Sequence, residues 1–279
     1  MNKSNLPSRG AMLQAGQFFG ATRGQLQSGG FVVSTVAHAS ARVVPAHVHA
    51  SPFLSMLISG RYREWFGRGH WDARPLGMVL RPPQAAHRDE IGPGGAVFLC
   101  VDFTQAFWDA MADAGIRIER RAFESRPMSG TALRLLYEIS GRRSGWKLVA
   151  EALIAELVDE YTREASVTQR REPHWLARAV NRLHEAPFAT RLADIAEELD
   201  LHPVHVTRMF KRHHGITLSR HLKQLRLHHA TRAMLETGEP LAALAGHHGF
   251  ADQSHLTREL QRGTGWTPHR LRCTCGQLR

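Results

Sequence analysis

Two sets of side chains in this sequence have types and spacings that do chemistry. His47 and His49 stand two apart in "PAHVHASPF", and His87 follows in "RPPQAAHRDE". Residues i and i+2 of a strand point to the same face. Two imidazoles delivered in this way, with a third nearby, make either a polar pocket or a three-nitrogen site for Zn2+, Fe2+ or Ni2+. The second set lies in "HPVHVTRMFKRHHG". Val206, Met209 and Phe210 recur at helical spacing, and Val204, Thr207, Arg208 and Lys211 project outward at i, i+3, i+4 and i+7, flanked by His205 and Arg212. An Arg in such a stripe can bond guanine O6 and N7 together, and Thr and Val can touch thymine methyls. Taken alone, the stripe also reads as an ordinary solvated helix face.

An internal repeat decides between those readings. Leu192-Ala-Asp-Ile-Ala196 recurs as Leu241-Ala-Ala-Leu-Ala245, Val206-Thr-Arg208 as Leu256-Thr-Arg258, and Gly215-Ile-Thr217 as Gly265-Trp-Thr267. The offset grows by one residue in the turn between the first and second pieces. Each copy reads as a short apolar helix, a tight turn and a second helix ending in basic residues. This is the helix-turn-helix pattern, whose second helix enters the DNA major groove. Pro203 fits the first helical turn, where its missing N–H costs nothing. In the second copy Gly249-Phe250 makes the turn and Asp252 opens the helix. Gln253, Ser254, His255, Thr257, Arg258 and Arg262 are its candidate base and phosphate contacts. Between the copies, residues 218–236 carry no Pro or Gly and predict one helix about 28 Å long, long enough to hold two reading heads roughly one DNA turn apart.

The elements that must position the histidines lie earlier. Residues 31–103 hold short runs rich in β-branched and aromatic residues, "FVVSTVAH", "FLSMLISG", "RYREWF", "GMVLRPP" and "AVFLCVDF", punctuated by Gly and Pro, which predicts a small sandwich or barrel. Arg42, Arg61, Arg63, Arg81 and Arg88 read as exposed edge-strand residues, with attraction of an anion as the alternative. Tyr62, Trp65 and Phe53 are either core or an aromatic pocket wall. After Phe103 the period becomes helical, with helices expected at "TQAFWDAMADAG", 128–141 and 146–163. The last aligns Trp146, Val149, Leu153, Leu157 and Tyr161 in one stripe, read as core or as a dimer face. "TREASVTQRREP" is polar and ends at Pro173, as a linker does.

The net charge of +11 over 279 residues favours a polyanionic partner. Both parts are net positive, and the shorter C-terminal part is the denser; it also holds thirteen of the 18 histidines. No apolar run approaches the roughly 20 residues that span a bilayer. The first residues lack the apolar core of a secretory signal. Three cysteines make no disulfide framework, which fits a reduced, cytoplasmic chain. Cys273-Thr-Cys275 reads as incidental rather than as a soft-metal site.

Residues 173–272 resemble the DNA-binding domain of the arabinose-regulator (AraC/XylS) family. The resemblance rests on "LADIAEELDLHPVHVTRMFKRHHGITLSRHLKQLRLHHATRAML" and "LAALAGHHGFADQSHLTRELQRGTGWTPHRLR". Three positions depart from the family pattern. Asp200 stands where the first turn usually has Gly, Leu260 replaces a usual Phe, and Glu259 puts an acid near phosphates, so the second head is expected to bind less tightly. "PAHVHASPFLSMLISGRYREWF" and "GMVLRPPQAAHRDE" resemble the cupin-like ligand domain of many such regulators. Metal-binding cupins usually place a Glu four residues after the second His, and here that position is Phe53.

The expected chain is therefore α+β. A cupin-like β-barrel (1–127) binds an effector, with His47, His49, Phe53 and His87 in its pocket; dimerisation helices (128–165) and a linker (166–173) follow; and an all-α domain (174–279) carries two helix-turn-helix units. The resemblance implies an effector-responsive transcription regulator with no enzymatic activity and no cofactor. Its expected partners are double-stranded DNA, a small-molecule effector, a second copy of the chain and, for an activator, RNA polymerase, with no membrane. No metal is expected, and His47, His49 and His87 are the residues that would hold one. The alternative is a metal-dependent cupin enzyme carrying a DNA-targeting domain.

Overall fold

A computed structural model describes residues 10–27, 29–113, 121–123, 129–169, 173–185, 187–188 and 192–277. Residues 1–9 and linker residues 170–172 lie outside the described set. The strands are β1 (Ala11–Leu13), β2 (Ala21–Gln27), β3 (Phe31–His38), β4 (Arg42–His49), β5 (Phe53–Phe66), β6 (Gly69–Ala73), β7 (Met78–Arg81), β8 (His87–Phe103) and β9 (Arg121–Phe123). They form one sheet in the order β1-β4-β8-β5-β7-β9. On it β3 pairs with β8 and carries β2, while β6 pairs with β5. The 17-residue β8 pairs with β5 over residues 88–102 and also with β3 over 96–103 and with β4 over 87–91, and the sheet curls around it.

Alternation along β8 shows both faces covered. Val97, Leu99 and Val101 point to a core shared with Val33, Met56, Ile58 and the helices beyond. Phe98 and Cys100 point to a second cluster with Val36, Leu57, Tyr62 and Ile91 on the concave side. "FLSMLISG" and "RYREWF" prove to be one strand, not two. β5 runs through Gly60 at φ 100°, with register shifts on either side of it. A Cβ there would lie 2.2 Å from the Gly95 carbonyl oxygen, so only glycine lets the strand bulge and continue.

The first helix, α1 (Gln105–Asp113), precedes the pair α2 (Ser129–Gly141) and α3 (Trp146–Gln169). Leu133, Leu135, Leu136 and Ile139 of α2 and Ala150, Leu153, Ile154 and Leu157 of α3 are buried in the larger core. Within the expected α3 stripe Leu153 and Leu157 are buried, but Val149 is 40% exposed beside a 72% exposed Leu148. The side chain of Tyr161 is outside the described set. α3 continues to Gln169, four residues into the span expected as linker. None of its residues from 162 to 169 is Gly or Pro, so nothing in the sequence stops the helix where the polarity rises.

Seven helices follow among the described residues: α4 (His174–Glu185), α5 (Leu192–Glu198), α6 (Pro203–His214), α7 (Leu218–Glu236), α8 (Leu241–His247), α9 (Gln253–Thr264) and α10 (Pro268–Gln277). They have two cores. Leu176, Ala179 and Leu183 of α4 pack with Ile195, Ala196, Val206, Phe210, Leu218 and Leu225. Leu244, Ala245, Phe250, Leu256, Leu260, Trp266 and Leu271 instead join the core that holds α2 and α3. The 19-residue α7 supplies Leu218 and Leu225 to the first core and Ala230 and Met234 to the second, so it joins the two as one rod.

Candidate functional site

The concave side of the sheet holds a cavity whose empty space, open mouth included, is about 450 Å3. All four residues expected to line a pocket are on its wall: His47, His49, Phe53 and His87. Leu13, Phe18 and Phe19 fold over it from the N-terminal segment. Register explains the meeting of the histidines: His47 of β4 is the direct partner of His87 of β8, and His49 lies two residues along β4 on the same face. The rings of His47 and His87 are 4.2 Å apart, and His49 is 5.3 Å and 5.6 Å from them. His47 and His87 both place Nδ1 3.0 Å from a backbone carbonyl, of Pro45 and Ala85 respectively. Each therefore donates from Nδ1 and turns Nε2 toward the cavity, where Asp89 stands. Burial drives His49 down to about 2, helped by the neighbouring imidazoles, and His87 down to about 4 against the opposing pull of Asp89. Both rings are neutral at physiological pH.

Arg81 is not the edge-strand arginine that its sequence context indicates. It is fully buried, ion-paired with Glu64 of β5 through Nε and Nη2, bonded to Ser55 Oγ at 3.0 Å and to Tyr62 Oη at 3.2 Å, and stacked 4.6 Å over Phe53. The alternating pattern of β7 places every one of its four residues inside because both faces of the sheet are covered. Tyr62 Oη donates to Asp89 Oδ1 at 2.8 Å. Asp89, Tyr62, Ser55 and His38 thus complete a polar lining that the histidine spacing alone did not announce. Asp89 follows His87 by two residues on one strand, and that spacing was the available signal. Of the aromatic wall, Phe53 and Tyr62 are on the cavity, whereas Trp65 stacks outside it under Arg63 and Arg88.

The basic helices are built alike. His202 caps α6 by accepting from Val204 N, Asp252 caps α9 by accepting from His255 N at 2.7 Å, and Pro203 sits in the first turn of α6. Both helices end on a left-handed glycine, Gly215 at φ 72° and Gly265 at φ 78°. The preceding turns match as well: Leu201 N bonds Ala196 O and Phe250 N bonds Ala245 O, each at 2.9 Å. Asp200 has φ 53° where Gly249 has 72°. The inserted residue that shifts the repeat offset is Ala251.

Among the expected contacts on α6, Val204, Arg208, Lys211 and Arg212 are exposed, Val204 at 63% although apolar. Gln253, Ser254, Arg258 and Arg262 are exposed on α9. The remaining four are half-buried. His205 packs against Trp175, Thr207 donates its hydroxyl to the Pro203 and Val204 carbonyls of its own helix, and His255 accepts from Ala251 N and edges onto Phe250. Glu259 does not face outward. It is buried and paired with Lys223 Nζ of α7 at 2.8 Å and with Arg262 at 3.1 Å, so it fastens α9 to the rod. Leu260 is likewise core. Cys275 is buried and Cys273 exposed on α10, 3.6 Å from His269 Nε2, so the two thiols do not share a face.

No helix among the described residues is long and apolar enough to cross a membrane. A helix-turn-helix domain family matches residues 195–273. The chain is similar to the HTH-type transcriptional activator RhaS of Escherichia fergusonii, 31% identical over 105 residues, which is 38% of this chain and 37% of RhaS. It is also similar to the multiple antibiotic resistance protein MarA of Salmonella typhimurium, 29% identical over 90 residues, covering 32% of this chain and 69% of MarA. A solved AraC-type regulator from Chromobacterium violaceum is 24% identical, with a TM-score of 0.35 over 37% of this chain and 93% of that one. Residues 195–273 thus match a helix-turn-helix domain, and the C-terminal helical part, with the paired caps and turns of α5–α6 and α8–α9, is similar to regulators of the AraC/XylS type.

Proposed function

We propose that this protein is an effector-responsive transcription regulator that binds double-stranded DNA through two helix-turn-helix units, α5–α6 and α8–α9. The observation that carries the reading is the shared build of α6 and α9, which leaves Arg208, Lys211 and Arg212 on one helix and Arg258 and Arg262 on the other exposed toward a polyanion, Arg262 while also paired with Glu259. RhaS, named as a transcriptional activator, is consistent with it. The β half, residues 1–127, is a cupin-like sensor whose cavity, walled by His47, His49, Phe53 and His87, receives the effector. α2 and α3 carry its state to the DNA-binding part. The exposed Leu148 and Val149, with Ala152 and Ala155 on the same helix, support a homodimer through α3.

The test is fluorescence anisotropy of the full chain on mixed-sequence duplexes at increasing salt. Contacts to several phosphates predict that affinity falls by about a hundredfold or more between 50 and 200 mM salt. Salt-independent association would contradict the assignment of α6 and α9 as the DNA-facing helices.

A further inference from the structure

The turn between α2 and α3, "GRRSG", carries two arginines that neither the concave pocket nor the two helix pairs use. Arg142 takes φ 43° where α2 ends, and the chain reverses there, so that Arg143 returns to Tyr137, six residues earlier. The Arg143 guanidinium stacks 4.5 Å over the Tyr137 ring, and its Nη2 donates to Tyr137 Oη. Arg270 of α10 reaches the same ring from the C-terminal part. It stacks at 4.8 Å and donates from Nη1 to the same Oη at 3.3 Å. Arg143 Nε and Arg270 Nη2 each lie 3.9 Å from the point that a Cβ on Gly141 would occupy, so the two guanidiniums meet over a residue with no side chain. Both arginines are exposed, and among the described residues no carboxylate is ion-paired with either. Tyr137 Oη accepts from both and keeps its own O–H to donate. The cluster therefore offers donors only. Holding two like charges on one neutral hydroxyl is unfavourable until an anion with several acceptor oxygens joins them, and guanidinium pairs match phosphate in this way.

The place of the cluster says where that phosphate comes from. Gly265 ends α9, and a Cβ on it would stand 3.2 Å from Tyr137 Cδ1, so the ring lies against the end of that helix. Arg270 is also the repeat equivalent of Arg220. Each stands three residues beyond a threonine, Thr267 or Thr217, and each backbone N–H donates to that threonine's Oγ1 at 3.3 Å. Both copies thus set an exposed arginine just past the basic helix, beside the groove whose flanking strands are phosphate. The second copy alone adds a partner from outside the C-terminal helices. We propose that Arg143 and Arg270, with the Tyr137 hydroxyl, clamp a DNA backbone phosphate beside α9, so that the α2–α3 turn itself contacts the duplex. The proposal rests on α9 as a DNA-facing helix and goes beyond it in bringing α2 onto DNA. A phosphate held by both arginines ties α2 to α10, so a shift of one against the other changes duplex affinity. It leaves base preference alone, because a phosphate contact carries no sequence information.

The experiment is fluorescence anisotropy of the full chain on unrelated duplex sequences over a salt series. Wild type is compared with Arg143→Gln, Arg143→Lys and, as a control for net charge, Arg68→Gln in the exposed turn between β5 and β6. Arg143→Gln is expected to weaken binding by about threefold to tenfold at low salt, equally on every sequence, and to lower the slope of log affinity against log salt by about one. Arg143→Lys keeps the charge and the slope, and Arg68→Gln matches wild type. Lost packing on Tyr137 would lower the melting temperature of Arg143→Gln without moving the slope. An unchanged slope in that variant, beside a steep wild-type slope, overturns the clamp and leaves α9 as a DNA-facing helix. An equal drop in Arg68→Gln reduces the effect to bulk charge and overturns the clamp as well. A wild-type chain with no salt-dependent binding overturns both readings. Thermal denaturation with inorganic phosphate or ATP, at fixed ionic strength, covers the other source of phosphate. If either stabilises wild type but not Arg143→Gln while the two bind duplex alike, the arginines serve a free phosphate compound and the DNA assignment falls.

Discussion

Glu259 illustrates what a side chain's neighbours do to its role. An acid on a DNA-facing helix looks repulsive in sequence. In the fold it points inward, where Lys223 and Arg262 neutralise it. Glu259→Gln is therefore expected to lower stability by about 1 kcal/mol, a small figure because both cations are substantially exposed to water. It is also expected to raise non-specific duplex affinity about threefold at low salt, because Arg262 and Lys223 are released toward phosphate. Thermal denaturation and anisotropy titration check the two signs. A variant that is destabilised but binds no better would show that neither cation reaches the DNA. The same lesson applies to Arg81, whose burial was hidden because no local pattern reveals that Glu64, seventeen residues away, is its partner. The histidines were legible because strand alternation alone brings His47 and His49 together. The signal for Asp89 was present in the same form, two residues beyond His87.

At the scale of elements, the repeat made the two helix pairs legible down to the turn residues. A helix N-cap and a C-terminal glycine are local, and local signals survive in sequence. Asp200 is the informative exception. It holds φ 53° in the turn where the second copy uses Gly249. Asp tolerates that conformation better than most residues, and a β-branched side chain does not. Asp200→Val is expected to cost about 1–2 kcal/mol, while Asp200→Gly holds wild-type stability within about 0.5 kcal/mol, its conformational relief offset by added chain entropy. Equal melting temperatures for the two variants would mean that this turn tolerates either residue and stores no strain. Strand limits were less legible. The single β5 looked like two strands because Gly60 usually ends one, and only the close approach of the Gly95 carbonyl explains why it bulges instead. The end of α3 was missed for a related reason: polarity marks solvent, not the end of a helix.

At the scale of the whole molecule, the two helix pairs α5–α6 and α8–α9 are not equivalent. The first has its own core with α4, whereas the second shares one with α2 and α3. Trp266, where the first copy has the half-exposed Ile216, is fully buried and donates Nε1–H to the Leu133 carbonyl of α2 at 2.8 Å. Tyr137 of α2 packs edge-on against Trp266 at 5.1 Å, under the Arg270 guanidinium at 4.8 Å. The second pair is thus anchored to the helices behind the β sheet, and the first connects to it through α7. Tyr137→Ala is expected to speed amide hydrogen exchange in α2 and α10 together while leaving α5 and α6 unchanged. Uniform acceleration across all seven C-terminal helices would argue against two separate cores.

The central claim is that one chain reads two successive DNA segments, with one helix for each. Binding selection on randomised duplexes, run with the wild-type chain, Arg208→Ala and Arg258→Ala, tests it most directly. Both arginines are exposed on their helices at equivalent places of the repeat, and Glu259 and Leu260 face inward, so nothing outward-facing weakens the second. Each substitution is expected to cost about 1–3 kcal/mol and to relax base preference in its own segment only, the two segments lying about one helical turn apart. If both variants relax the same base positions, or neither changes the selected sequence, the assignment of α6 and α9 to separate segments is contradicted.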